Sequence, residues 1–445
     1  MTKARMDGLY LVGLGVAVFL LLGFALENAV PVTTVDFKVV YYSARCLIEH
    51  GDPYQQSALE HVYQTEGGEI SLETAANRRS ERNYNYFPTA FPITVPFALL
   101  PFGPAHLLWL AFTAASFILA CLLMWEIAAG DAPIFAGVLV GLTLANSELF
   151  LILGNPAGIA VSLCVVAAWC FVRDRFVAAG ILCMAVSLML KPHDAGLVWL
   201  YFLLAGGANR KRALQTLVVV IVLSVPAMIW LTSVAPNWMP ELHSILTAYS
   251  SHGDVNDPGP ASMASHGIGM VVSLQAVFSV FRDDPRFYNP VTYLICGGLL
   301  AAWLLRTVRT TFSQRAAWFA LAPVAALSML PVYHRIYDAR LLLLTIPACV
   351  ALWSRGGKIA WVAAAITAAQ IVLTGGIFWA IFFRVLPHLS FNNARFGGQV
   401  LIGVQAFPVP LILLLTAVFN LWIYLWRAAI PEPGASIQRR EKPGG

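Results

Sequence analysis

Charge is scarce in this sequence. Of its 445 residues only 11% are Asp, Glu, Lys or Arg, while 59% are hydrophobic. Soluble domains carry about twice that share of charge. Too few polar side chains are present to cover a soluble fold of this size, which leaves a polytopic membrane protein. A disulfide framework is missing too. Cys121, Cys164, Cys170, Cys183, Cys296 and Cys349 lie in apolar runs, where Cys behaves as a small hydrophobe, and Cys46 alone falls in a polar loop. No CxxC or Cys/His spacing suggests a bound metal. A Rossmann fingerprint, a P-loop and a tandem repeat are all absent. The net charge of +5 is modest, and no nucleic-acid partner is expected.

What the sequence does have is apolar runs. The first follows Lys3 and Arg5 as a signal peptide would, but it lacks a small-x-small cleavage site, so a retained signal anchor is expected. Candidate spans are 9–27, 104–128, 133–152, 156–172, 176–190, 194–206, 213–234, 291–305, 316–332, 339–353, 359–383 and 400–426. The apolar segment 87–100 carries Pro88, Pro92 and Pro96. Parity decides its treatment. If it is left out of the count, Arg173/Arg175, Arg210-Lys211-Arg212, Arg306/Arg309/Arg315, Arg355/Lys358 and Arg427/Arg439/Arg440 fall on one side with Lys3 and Arg5. That is the positive-inside pattern. Segment 87–100 is therefore expected to re-enter or to pack within protein.

The predicted architecture is all-α: about twelve transmembrane helices in one domain over 1–430, with both termini cytoplasmic and a polar, disordered tail over 431–445. Two long outer loops, 27–103 and 235–289, carry surface helices. One such helix follows from the spacing of Phe37, Val40, Tyr41, Ala44, Leu47 and Ile48, and ends at the turn Gly51-Asp52-Pro53-Tyr54. A second, more polar helical piece is expected over 57–82, and a short amphipathic one over 268–281.

On this topology one face collects Asp36, Arg45, Tyr41, Tyr84, Tyr86, Asn155, Lys191-Pro192-His193-Asp194, and His334, Arg335, Tyr337, Asp338 and Arg340. Ionisable groups at the ends of spans are costly and usually face a partner or cavity. Lys191 and Arg340 fit anion binding at the membrane surface; snorkelling to headgroups accounts for Arg335. Asp36 fits a helix cap as well as a reacting carboxylate. Its placement with His334 favours acid–base work beside a bound substrate. The tyrosines fit sugar stacking and an interfacial belt alike. Asp338 could pair with Arg340 or His334, or act as a second acid. Asp36, Asp52 and Asp338 could gather a divalent cation, the one cofactor considered.

At this point the chain resembles a known family. Asp36-Phe-x-x-x-Tyr41-Tyr42, Gly51-Asp-Pro-Tyr54, Tyr84-x-Tyr86-x-Pro88, Gly154-Asn155, Leu190-Lys191-Pro192 and Tyr333-His334-x-x-Tyr337-Asp338 are similar in order and placement to family 87 of the polyprenol-phosphate-sugar-dependent glycosyltransferases. The resemblance runs over roughly residues 30–340. It implies a GT-C fold and an inner-membrane enzyme working on the outer, periplasmic face. A polyprenyl-phosphate sugar would be the donor, mannose most simply, and a lipid or glycan the acceptor. It also implies Asp36 as general base, with His334, Lys191 and Arg340 around the lipid phosphate. Tyr86, Asn155, His193, Asp338, Arg45 and Tyr41 complete the candidate substrate-binding set. Two departures stand out: Tyr86-Phe87-Pro88 replaces Tyr-Pro-Pro, and Gly154-Asn155 replaces Gly-Gln. A flippase of lipid-linked saccharide is the main alternative, though the Pro-rich segment 87–100 has no counterpart in the second half to suggest inverted repeats. A membrane ligase or phosphatase on the same lipids is the third class.

Overall fold

Apolar runs satisfy their backbone in lipid by coiling into helices. The computed structural model describes residues 2–29, 33–66, 83–259, 262, 271–376, 378, 379 and 408–426. Among these the chain is helical, with a single isolated β-bridge, Val271–Arg335, and no strand. Helix α1 is Lys3–Ala29, α2 is Val35–Ile48 and α3 is Gln56–Thr65. A 3-10 turn at Pro88–Ala90 leads into α4, Phe91–Ala98. Then follow α5 (Phe102–Ala128), α6 (Pro133–Ala145), α7 (Leu149–Leu153), α8 (Ala157–Arg173), α9 (Val177–Leu190), α10 (Pro192–Leu204) and α11 (Gly207–Val234). The second half has α12 (Trp238–Tyr249), α13 (Gln275–Ser279), α14 (Pro285–Arg309) and α15 (Gln314–Leu327). A long 3-10 helix, Ile336–Thr345, runs into α16 (Ile346–Trp353), followed by α17 (Gly357–Leu373) and α18 (Pro408–Trp426).

Every expected span coincides with helical structure where it is described. Among the described residues seven are long and apolar enough to cross a membrane: α1, α5, α6 continued by α7, α11, α14, the 3-10 helix continued by α16, and α18. Helices α8, α9 and α17 are apolar but shorter. The chain is thus an all-α polytopic membrane protein. Helix α4 has eight residues, or about 12 Å at ~1.5 Å per residue, far less than a bilayer core. It packs on α2, α5 and α11 instead of crossing. The expected polar piece over 57–82 is α3 as far as Thr65, and the rest falls outside the described residues. The amphipathic piece over 268–281 shortens to α13. The tail 431–445 lies outside the described residues as well.

Helix α8 is buried on every side from Ala157 to Val172, as a helix apolar all round should be, and α5, α9 and the long 3-10 helix surround it. Lipid-facing leucines, valines and isoleucines lie instead on α11, among them Leu214, Val218, Val222 and Ile229. Helix α1 docks on α6 through glycines. A Cβ on Gly15 would stand 2.5 Å from the Gly141 carbonyl oxygen, and one on Gly137 2.4 Å from that of Gly8. Small residues let two backbones approach this closely where no hydrophobic effect drives association.

The ends of the bundle differ in charge. Arg173, at the end of α8, pairs with Glu126 of α5 at 2.8 Å and reaches Gln314 of α15 at 3.3 Å. Arg212 of α11 binds Asp174 and the Phe171 carbonyl. The loops that follow α8 and precede α11 and α15 therefore meet at one end. Asn155 stands at the opposite end of α8, about 25 Å away along its axis.

Candidate active site

Helix α2 starts after Thr34, whose left-handed φ of 57° turns the chain and whose amide donates to the Ile152 carbonyl at 2.7 Å. That bond ties the start of α2 to the α7–α8 turn. Gly154 completes the junction. Its φ is +63°, and a Cβ there would lie 2.8 Å from Cβ of Phe37, so a side chain is excluded twice over. Trp109 of α5 donates to the Gly154 carbonyl at 2.8 Å and fixes the turn. Asn155 is thereby set against the first turn of α2.

Asn155 is the hub. Its Oδ1 accepts from the Ala157 amide at 2.8 Å, which orients the side chain. Its Nδ2 donates to Asp36 Oδ2 at 2.8 Å, reaches the Tyr337 hydroxyl at 3.0 Å and comes within 3.5 Å of the Tyr86 hydroxyl. The cap position of α2 belongs to Thr34, and Asp36 lies inside the first turn with its carboxylate engaged by Asn155. Burial raises its carboxyl above the usual range, while the Asn155 bond and the charges of Arg335 and Lys191 pull it back down. The same burial, with the nearby Asp36 charge, keeps the Tyr86 hydroxyl protonated far above its ordinary range.

Pro192 ends α9 and starts α10, and Lys191 occupies the break. Its ammonium sits 5.0 Å over the Tyr337 ring and donates to Asp338 Oδ1 at 2.8 Å. Burial disfavours that charge, but Asp338 outweighs it and raises the pKa of Lys191. The other Asp338 oxygen accepts from the Arg335 amide at 2.8 Å, starting the long 3-10 helix. Runs of that length are uncommon. The Arg335 side chain contacts the Tyr333 hydroxyl and the Val255 carbonyl, the latter at 3.1 Å. Asn155, Lys191 and Asp338 are buried, whereas Asp36, Tyr86 and Arg335 keep partial exposure. The partly exposed groups thus sit beside a buried polar set.

Other candidates lie elsewhere. Arg45 pairs with Glu66 at 2.9 Å and Glu49 at 3.0 Å, and also binds the Ala98 carbonyl. It sits nine residues from Asp36, about 180° round α2 at ~100° per residue. Tyr41 is buried among Phe37, Tyr42 and Phe102 and donates to the Leu100 carbonyl at 2.8 Å, so its ring is core and not a sugar platform. Tyr84 is likewise buried, against Tyr54 and Phe91. Arg340 turns to the Asn146 and Thr374 carbonyls, both at 2.6 Å, and ties α6 to α17. His334 does not join Asp36: its neighbours are Asp194, with Nε2 to Oδ1 at 3.0 Å, and the Val332 carbonyl. His193 stands edge-on to His334. Asp52 accepts from the Tyr54 amide at 2.9 Å, closing its turn, so the cation-binding trio of Asp36, Asp52 and Asp338 is not assembled. Cys46, expected in a polar loop, is buried within α2, and burial pushes its thiol up to about 12.

Two members, Arg335 and Tyr337, lie on the face collected from sequence but carry no site role there. Arg335 was assigned to headgroups, although its spacing to Asp338 is that of a helix cap and the third residue inside. Tyr337 lies three residues before Arg340, which sets both on the 3-10 face that meets the 146–155 segment.

Residues 84–332, just over half of the chain, match the family described as Glycosyltransferase family 87. Asp36 and residues 333–340 lie outside the matched stretch. Neither a curated protein nor a solved structure matches the chain.

Proposed function

The chain belongs to glycosyltransferase family 87, and on that premise we propose that it moves a sugar, mannose most simply, from a polyprenyl-phosphate donor to a lipid or glycan acceptor. The observation that carries this reading is the set Asp36–Asn155–Tyr337, with Arg335 and Lys191 close enough to act on the Asp36 charge. A partly exposed carboxylate held by one amide and flanked by two cations suits a general base beside a departing phosphate.

In the proposed reaction Asp36 takes the proton of the acceptor hydroxyl as that oxygen attacks the anomeric carbon. The sugar C1–O bond to phosphate breaks through an oxocarbenium-like state. Asn155 keeps the carboxylate ionised and aimed. The leaving phosphate gains negative charge as the bond breaks, so fixed cations stabilise the transition state more than the ground state. Arg335 is the main candidate for that role. Lys191, already paired with Asp338, adds field and not a direct bond. Displacement by the acceptor inverts the anomeric centre. The GT-C architecture, a bacterial inner-membrane location and an outer-face site belong to the same proposal. They are supported by the placement of Arg173 and Arg212 at the end of α8 remote from Asp36.

Purified protein in liposomes, supplied with labelled polyprenyl-phosphate mannose and an envelope lipid extract, tests this. The expected product is a glycolipid with inverted linkage. Asp36→Asn should lower the rate by about 10²–10⁴-fold, the usual contribution of a general base. Parental rate in Asp36→Asn overturns the assignment of the base. Passage of intact donor across the bilayer without bond cleavage supports a flippase, and release of inorganic phosphate a phosphatase.

A further inference from the structure

Beside the proposed site lies a second polar cluster with no part in the transfer chemistry above. His193 and Asp194 occupy the first turn of α10, and His334 precedes the long 3-10 helix. One donor atom from each lies within 4.8 Å of the other two. The two imidazoles meet edge to face with centroids 4.7 Å apart. Asp194 and His334 have no exposed surface, yet among the described residues neither Asp194 oxygen nor His334 Nε2 has a well-directed hydrogen-bond partner. The 3.0 Å contact between Nε2 and Oδ1 has the length of a hydrogen bond without its direction.

The other ring nitrogen sharpens the point. His334 Nδ1 faces the Val332 carbonyl at 3.1 Å. A carbonyl only accepts, so Nδ1 carries the proton. In the neutral ring Nε2 then turns a lone pair toward a buried carboxylate. Two acceptors stay in contact away from water only with a positive charge between them, a shared proton that makes the two an ion pair or a metal ion. Lys191 does not supply it, since its ammonium is bound to Asp338.

We propose that His193, Asp194 and His334 form a binding site for a divalent transition metal, with zinc the best fit to the donors. Two imidazoles and one carboxylate are the protein ligands of open zinc centres, whereas magnesium and calcium prefer oxygen alone. Donors 3.0 Å apart, each about 2.0–2.1 Å from a shared ion, subtend about 90–95° at it. His193 is exposed, and its ligand atom lies within 4.8 Å of those of the buried pair. The Val332 carbonyl is the outer partner that orients a ligating imidazole. His193 also lines an apolar cavity of about 400 Å³ between α10, α14 and α15. The ion ties the start of α10 to the loop that carries Tyr333 and Arg335. The proposal does not depend on the transfer reaction, because metal binding is read without turnover.

The test uses tag-free, full-length protein in detergent, stripped with chelator and desalted. Titration with Co²⁺ should show one bound equivalent with visible ligand-field bands, displaced by Zn²⁺. His193→Ala removes an exposed ligand and leaves the buried pair intact, so it should elute as folded protein. It should bind Co²⁺ more than about 10-fold more weakly, at least the loss seen when an outer partner alone is removed. No ligand-field bands, and no zinc retained by mass spectrometry after desalting from excess Zn²⁺, overturns the proposal. So does bound metal indifferent to His193→Ala. Should that variant not fold, the parental cobalt titration decides alone.

Discussion

Removing the amide that holds Asp36 gives the sharpest test of how the carboxylate is tuned. Asn155→Ala deletes the 2.8 Å bond to Asp36 Oδ2. Burial already raises the Asp36 pKa, and this bond is the largest influence opposing it. A hydrogen bond to a charged group is worth about 1.5–3 kcal/mol. All of it acts on the ionised form, because only that form gains from the donor. The variant therefore ionises at higher pH. A base works only when ionised, so activity falls as the pH drops through the folded-state pKa, and in Asn155→Ala that fall begins at higher pH. On the acid side the loss should reach about 10- to 150-fold, and it should shrink as the pH rises and the variant ionises too. Asn155→Asp keeps size and the acceptor for the Ala157 amide but sets a second carboxylate against Asp36. It should shift the acid limb further in the same direction. The assay is the pH profile of kcat/KM in the liposome transfer reaction. A loss equal at every pH would refute the reasoning, and would mean that Asn155 binds the sugar instead of tuning the base.

Two further outcomes follow from buried contacts. Lys191→Met leaves Asp338 buried without its cation, and breaking such a pair costs about 3–5 kcal/mol. Thermal unfolding in detergent should show a clear drop that Lys191→Met/Asp338→Asn partly reverses, since the amide still accepts from the Arg335 backbone. Gly15→Leu drives a side chain into the Gly141 backbone and should destabilise by about 1–3 kcal/mol, while Gly13→Leu, which meets nothing within 4 Å, should not.

The helices were legible because lipid leaves apolar runs one solution. Parity also singled out segment 87–100 as unlike the spans, and α4 is too short to cross. Asp36 could be found because it is the first acid after the first span. The errors share a cause. Arg45 and Tyr41 were grouped with Asp36 by nearness in sequence, but α2 turns them away from its Asp36 face, which a helical wheel would have revealed. Arg335 and Arg340 are five residues apart with similar flanks, and only the fold shows that one acts on the Asp36 charge and the other braces α6 against α17. The cluster at His193 was legible as polar. Its pairing with His334 was not, because 141 residues separate them and only packing of α10 beneath the 331–335 loop joins them.

The glycine contact between α1 and α6 has a meaning for biogenesis. The partner surface of the first helix is not made until residue 145 has left the ribosome, more than a hundred residues after α1 is complete. At ~5–20 residues per second that wait lasts roughly 6–23 s. For that time a nascent helix with a bare glycine-studded flank sits in the translocon or the lipid beside it. Helix α1 is therefore an early-made, late-docked component, and the order of synthesis makes α6 the element that locks it in place.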